Sequence, residues 1–193
     1  VDNAARMLGF PVGPLQLVDE TSIDLGAKIA RATKAAMGEN YPDSAVDDVL
    51  FWMESKGRLG RKAKAGFFSY DAQGKRLGYW EGLSAQYPLT AQQPNLIDVQ
   101  HRLIFIQSLE AVRALEENVL MDIREGDVGA ILGWGFAPWS GGPFSWLDIL
   151  GSPYAAERCN QLHHAYGDRF ACPDLLRSMA SKGQSFDGQA KNA

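Results

Sequence analysis

Residues 133–143 read GWGFAPWSGGP, and a shorter version of the same phrase, LGFPVGP, stands at 8–14. The two sit in matching surroundings. Asp2 precedes Gly9-Phe10 and Gly13-Pro14, with Asp19 after them; Asp127 precedes Gly135-Phe136 and Gly142-Pro143, with Asp148 after them. In each phrase a phenylalanine can enter a core while the Gly-Pro turn redirects the chain into the next helix. The downstream helical patterns echo each other as well, so the chain reads as an all-α tandem repeat of one helical unit.

Working outward, Ser22 with Asp24 predicts an N-cap and an acidic first turn for a helix carrying Ile23, Leu25, Ile29 and Ala30 and ending near Gly38. Tyr41-Pro42-Asp43-Ser44 sets up a second start, where Ser44 and Asp47 resemble a capping box ahead of Val46, Val49, Leu50 and Met53. GRLGRKAKAG at 57–66 is a glycine-punctuated basic loop, and FFSYDAQGKRLGYW after it predicts a hairpin around Gly74. SAQYPLTAQQPN at 84–95 has the composition of a linker. Beyond it, Leu103, Ile106, Leu109, Val112, Leu115 and Val119 recur at three or four residues and predict the longest helix. Shorter helices follow over 127–132, 143–150, from Ser152-Pro153 and from Cys172-Pro173-Asp174 through Met179, with a polar tail from Gly183. The expected division is a first repeat at 1–83, a linker at 84–95, a second repeat at 96–186 and a tail at 187–193. The first repeat has no counterpart of the long helix.

The composition, 46 % hydrophobic and 22 % charged over 193 residues, is that of an ordinary globular chain. A net charge of -4 gives no electrostatic reason to expect nucleic acid or an anionic membrane. No apolar run is long enough for a transmembrane helix, and no signal peptide opens the chain. Cys159 and Cys172 are too few for a zinc site and point to a reduced, intracellular compartment. The opening VDNAARMLGF starts inside an amphipathic pattern, as a fragment would.

Motifs of chemistry are scarce. There is no nucleophile elbow, P-loop or HExxH, and no GxGxxG follows a predicted strand. His163 and His164 sit near a helix end and His101 near the start of the long helix; solvated or structural roles are expected for all three. Arg58, Arg61, Lys62 and Lys64 could steer a phosphate-bearing ligand or simply form a solvated loop. Trp134, Trp139 and Trp146 could line an acyl pocket, but the favoured expectation is that they plug the core.

Together, LGFPVGPLQLVDETSID and GRLGRKAKAGFFSYD resemble the C-terminal helical domain of the 3-hydroxyacyl-CoA dehydrogenases. Arg102, Glu110-Ala111, GWGFAPWSGGPFSWLDILG and YGDRFACPDLLRSMASKG resemble the second copy of that domain in multifunctional β-oxidation enzymes, which join enoyl-CoA hydratase and dehydrogenase in one chain. The resemblance covers almost everything to Phe186. In the basic loop the family pattern is matched at Gly60, Lys62, Gly66 and Phe67 and departed from at Ala63, Lys64 and Phe68.

The resemblance implies a parent enzyme that oxidises (3S)-3-hydroxyacyl-CoA to 3-ketoacyl-CoA with NAD, its Rossmann domain and catalytic His-Glu pair lying ahead of this chain. The family's Asn-Arg at the leading helix of the first copy is missing, and the matching place in the second copy reads His101-Arg102. The chain itself is therefore expected to hold no catalytic residue, cofactor or metal and to be inactive alone. It would supply an acyl-CoA cleft wall, for which Phe10, Pro11, Gly13 and Pro14 are the candidates, and an internal pseudo-dimer interface of the kind single-copy relatives form between chains. The implied partners are acyl-CoA, the Rossmann domain and a thiolase, in a bacterial cytoplasm in preference to a peroxisome. The alternative is a free-standing helical interaction domain without catalysis; a nucleic-acid binder comes third.

Overall fold

The computed structural model describes residues 1–42 and 44–190, so Asp43, part of the expected second helix start, and residues 191–193 of the expected tail lie outside the described residues. The described residues are mostly helical, with one antiparallel hairpin among them. By contacts it divides into two units: residues 1–2 with 12–93, and residues 3–11 with 94–193. Residues 3–11 thus group with the second unit instead of the expected first repeat, because Leu8 and Phe10 pack against the second unit's core.

Helix α1 (Asp2–Met7) opens the chain, and the first unit continues with α2 (Pro14–Thr21), α3 (Ile23–Met37) and α4 (Ala45–Ser55). α3 is alanine-rich, which favours helix, and stops at Gly38, whose φ of 57° suits glycine. Its buried stripe is Ile23, Ala27 and Ala30, set against Leu50 and Met53 of α4. Leu25 and Ile29, expected on the inner face, are exposed, because the i, i+4, i+7 stripe starting at Ile23 leaves them on the outer side of α3; Val46, in the first turn of α4, is exposed as well. The Ser44–Asp47 capping box does not form: Ser44 makes no side-chain cap, and Asp47 accepts from the Tyr41 hydroxyl at 2.6 Å. Ser22 is likewise no side-chain cap; its hydroxyl bonds Asp24 and the Leu59 carbonyl.

The expected hairpin is β1 (Phe68–Tyr70) and β2 (Arg76–Tyr79), paired Phe68 with Tyr79 and Tyr70 with Arg76 across an irregularity after Ser69. Phe67 and Phe68 from its first edge complete the small core, and α5 (Gly82–Gln86) occupies the start of the expected linker.

In the second unit α6 (Leu96–Glu116) buries Ile104, Phe105, Ser108, Leu109 and Val112. Val119 falls beyond its end and is exposed, so the apolar period overran the helix. α7 (Ile123–Trp134) ends at Gly135, in the left-handed region at φ 76°. α8 (Pro143–Leu150), α9 (Ser152–Tyr166) and α10 (Asp174–Lys182) follow. Ser152 caps nothing; its hydroxyl donates to the Gln184 carbonyl at 2.6 Å. The expected polar tail contains α11 (Phe186–Ala190), with Phe186 buried edge-on against Phe144, ring centres 5.1 Å apart.

Of the three tryptophans expected in the core, only Trp146 is buried, edge-on to Phe105. Trp134 and Trp139 are more than half exposed because their indole N–H groups reach polar partners at the surface, Gln107 Oε1 at 3.0 Å and the Leu8 carbonyl at 2.5 Å.

Candidate functional site

The repeated phrase is built around two pairs of carboxylates. Pro14 and Pro143 each take the first position of their helix, where the missing N–H costs nothing, so the first amides needing a partner belong to the next two residues. Asp2 takes these in the first unit, from Leu15 N at 2.8 Å and Gln16 N at 3.1 Å. Asp127 takes them in the second, from Phe144 N at 2.8 Å and Ser145 N at 3.1 Å, and also receives the Ser145 hydroxyl at 2.6 Å. Negative charge at a helix N-terminus is favoured by the exposed amides there.

Both preceding glycines exist for the approach of that carboxylate. A Cβ on Gly13 would lie 2.3 Å from Asp2 Cγ, and one on Gly142 would lie 2.4 Å from Asp127 Oδ1. Burial pushes the Asp127 carboxyl above the usual carboxylate range, against the opposing pull of the Ser145 and Phe144 hydrogen bonds.

The second carboxylate of each pair stands five residues after the helix proline. Asp19 accepts from Phe67 N at 2.7 Å, Phe68 N at 3.0 Å and the Tyr70 hydroxyl at 2.8 Å. Asp148 accepts from Phe186 N at 2.8 Å and Asp187 N at 2.9 Å. Each joins its helix to a segment remote in sequence that delivers a buried phenylalanine to the core. Burial, then the Asp19 contact, pushes the Tyr70 phenol well above its ordinary value.

The four residues expected along a cleft wall divide between the units. Phe10, half-buried, meets Phe136 edge-on at 5.7 Å, and Pro11 sits over Gly135, both in the second unit. Gly13 and Pro14 belong to the Asp2 clamp of the first.

The basic loop separates into two roles. Arg58 turns inward: it donates to the Gly66 and Phe68 carbonyls at 2.6 and 2.9 Å and lies over the Trp80 ring at 4.4 Å. Arg61, Lys62 and Lys64 face a shallow, open hollow of about 400 Å³ with Glu20, Gln73 and Gly74. An adjoining hollow adds Gln16, Tyr70, Lys75 and Arg76. The residues after the loop could not be assigned to it from sequence, although Lys75 and Arg76 stand directly after the Gly74 turn.

His101 lies in a polar cluster of the second unit. Its Nδ1 accepts from Arg158 Nε at 2.9 Å, Arg158 pairs with Asp98 at 2.6 Å, and the Tyr166 hydroxyl donates to Asp98. Burial first, and the Arg158 charge second, hold the imidazole below its ordinary pKa, so it is kept neutral. Arg102 lies over the Tyr166 ring at 4.1 Å. His163 is at the surface, 2.8 Å from Asp168, and His164 is exposed. Cys159 and Cys172 are buried free thiols, and among the described residues no cluster could hold a metal ion. No described helix is long and apolar enough to cross a membrane.

Residues 1–70 match the model of the 3-hydroxyacyl-CoA dehydrogenase C-terminal domain. Over these residues the chain is similar to that family's C-terminal domain, as the sequence resemblance implied. Over 187 residues, 96 % of its length, the chain is 38 % identical to the fatty acid oxidation complex subunit alpha of Shewanella loihica. It is 37 % identical over 190 residues to the protein of the same name from Vibrio vulnificus. It spans 26 % of the length of each, about a quarter. In fold the chain is similar to 3-hydroxybutyryl-CoA dehydrogenase from Escherichia coli, with a TM-score of 0.65 at 19 % identity over 94 % of this chain and 54 % of that one. The dehydrogenase part of multifunctional enzyme 1 from Caenorhabditis elegans also gives 0.65, at 22 % identity over 92 % and 41 %.

Proposed function

We propose that the chain is the C-terminal part of a multifunctional β-oxidation enzyme, made of two successive copies of the dehydrogenase C-terminal domain. The whole enzyme would oxidise (3S)-3-hydroxyacyl-CoA to the 3-ketoacyl-CoA with NAD and carry a fused enoyl-CoA hydratase. The observation that carries the two-copy reading is the doubled clamp: Asp2 binds the two amides after Pro14 as Asp127 binds the two after Pro143, and Asp19 and Asp148, each five residues past that proline, both hold a pair of consecutive amides from a remote segment. The relatives that match nearly the whole of this chain are bacterial fatty acid oxidation subunits, which supports the β-oxidation setting and a bacterial cytoplasm.

In this reading the chain contributes Phe10, Pro11, Gly13 and Pro14 to the acyl-CoA wall, and other segments of the enzyme carry out hydride transfer. The residues present do not suit NAD. The one sheet among the described residues is a two-stranded antiparallel hairpin, and no strand runs through a glycine turn into a helix N-terminus to cradle a pyrophosphate. Nor does the His101 cluster replace the family's asparagine, since its imidazole is engaged by Arg158.

The test is NADH oxidation with acetoacetyl-CoA, run on the 193-residue chain beside a protein extended upstream in its reading frame. Turnover confined to the extended protein is the expected result. Turnover by the pure chain alone would overturn its non-catalytic role. An extended protein that binds NADH yet turns over no acetoacetyl-CoA would favour the interaction-domain alternative, and a thiolase can be tested as partner by co-purification with the extended protein.

A further inference from the structure

The first unit gathers cations on one face, more of them than its ties between segments use. Arg61, Lys62, Lys64, Lys75 and Arg76 line the two adjoining hollows beside the loop, in a chain whose net charge is -4. The carboxylates nearby are already engaged. Glu20 holds Arg61 at 2.8 and 3.0 Å, and Asp71 accepts from the amides of Gln73 and Lys75 at 2.9 and 2.8 Å.

Three of the five cations are held in place. Arg61 is fixed by Glu20; Arg76 donates to Gln16 Oε1 at 2.7 Å and lies over the Phe68 ring at 4.6 Å; Lys64 Nζ donates to the Ala72 carbonyl at 2.6 Å. Neutral partners position Arg76 and Lys64 without cancelling their charge. Lys62 and Lys75 have no carboxylate partner among the described residues. Lys64 adds a second observation. Among the described residues it is one of three non-glycine residues with positive φ, at 57°, in the left-handed region that disfavours a side chain by about 1 kcal/mol. A glycine would hold this turn more easily, yet the chain places there a lysine whose ammonium reaches the rim of the hollow.

We infer that this face is a binding site for a diphosphate-bearing small molecule. Two guanidinium groups suit the paired oxygens of phosphate, and the lysines supply mobile charge around them. A concave surface of one sign concentrates the field better than a flat one. The shared chemistry is a diphosphate, which could come from a nucleoside diphosphate or from the handle of a CoA thioester. The first unit alone carries these groups, so binding by them is separable from catalysis by the whole enzyme.

The test is isothermal titration calorimetry of the 193-residue chain with pyrophosphate, ADP and CoA, at low and at raised salt. Pyrophosphate should bind, and more weakly as salt rises. The double variant Lys62→Ala/Lys75→Ala should lose tenfold or more in affinity with an unchanged thermal midpoint. Lys64→Gly, which relieves the left-handed position, should lose severalfold while keeping or raising that midpoint. Lys28→Ala/Lys182→Ala, on other surfaces, should bind as the parent does. Similar affinities for all three ligands support a site that reads the diphosphate itself. CoA at least tenfold tighter than pyrophosphate and ADP supports the thioester handle as the source. A flat pyrophosphate titration at millimolar concentration, or binding that the double variant leaves intact, overturns the assignment.

Discussion

The two units share their clamps but differ sharply in core. Among the described residues the first unit buries six apolar side chains in one cluster, and the second buries nineteen. At roughly 1.5–3 kcal/mol for each large side chain fully removed from water, the second unit has far more burial to set against its chain entropy. The first must rely on polar ties that join distant segments: Asp19 collects three donors where Asp148 collects two. Where the core is small, a buried carboxylate with all its donors in place does work that packing does elsewhere.

The contrast can be broken most strongly in the large core. Phe105→Ala should cost about 3–5 kcal/mol in urea unfolding, since it removes a fully buried ring and the edge contact to Trp146. A loss under 1 kcal/mol would mean that the second unit is not held by its packing.

Next in size is Gly142→Ala. Its Cβ would meet Asp127 Cα at 2.5 Å, mid-helix backbone that cannot easily move, and the residue sits at φ 120°. About 3 kcal/mol or more is expected. Gly13→Ala makes the same clash with Asp2 Cα at 2.5 Å, but at the start of α1, where the helix end can shift. Thermal melts should show the Gly13 variant as the milder of the two; equal losses would show both clamps to be equally rigid.

Asp19→Ala should cost about 2–3 kcal/mol by leaving buried donors unpaired, and Asp148→Ala about 1 kcal/mol, because the Asp187 amide can turn to water. Guanidinium titrations of the two variants side by side check the order, and a reversed order would remove the argument that the first unit depends more on its ties. Tyr70→Phe, which deletes one of the three donors to Asp19, should cost about 1 kcal/mol.

The smallest effect concerns pH. His101 is held neutral in the fold, so the unfolded chain binds a proton more readily. This contribution is present above the ordinary imidazole value of 6.5 and is lost as pH falls through the lower folded value. Unfolding midpoints should therefore decline between pH 7 and 5 by an amount that His101→Gln reduces, as glutamine can still accept from Arg158. An identical pH slope in parent and variant would place the titrating group elsewhere.

Much of this was legible from the repeated phrase. Proline at the first helical position and glycine before it placed α8 at 143–150 as found, and the Gly74 turn located the hairpin. Short-range cap patterns were less dependable. Ser44 and Ser152 had the right residue types, but Ser44 makes no side-chain cap, its would-be partner Asp47 being taken by the Tyr41 hydroxyl, and Ser152 is drawn to the distant Gln184 carbonyl. The aromatic pattern also misled at Trp134 and Trp139, where a reachable carbonyl or amide kept the indole at the surface. The two cation-lined hollows could be seen only in part, because their walls come from three separated segments, around 16–20, 61–64 and 70–76.

The order in which the chain visits its units has a practical consequence. It enters the second unit at Asn3, leaves after Pro11 and returns at Pro94. A single protease cut within 84–95 therefore frees neither unit whole. The C-terminal product would lack Leu8 and Phe10, baring the ring edge of Phe136, and the synthetic peptide 3–11 is the piece that would refill it.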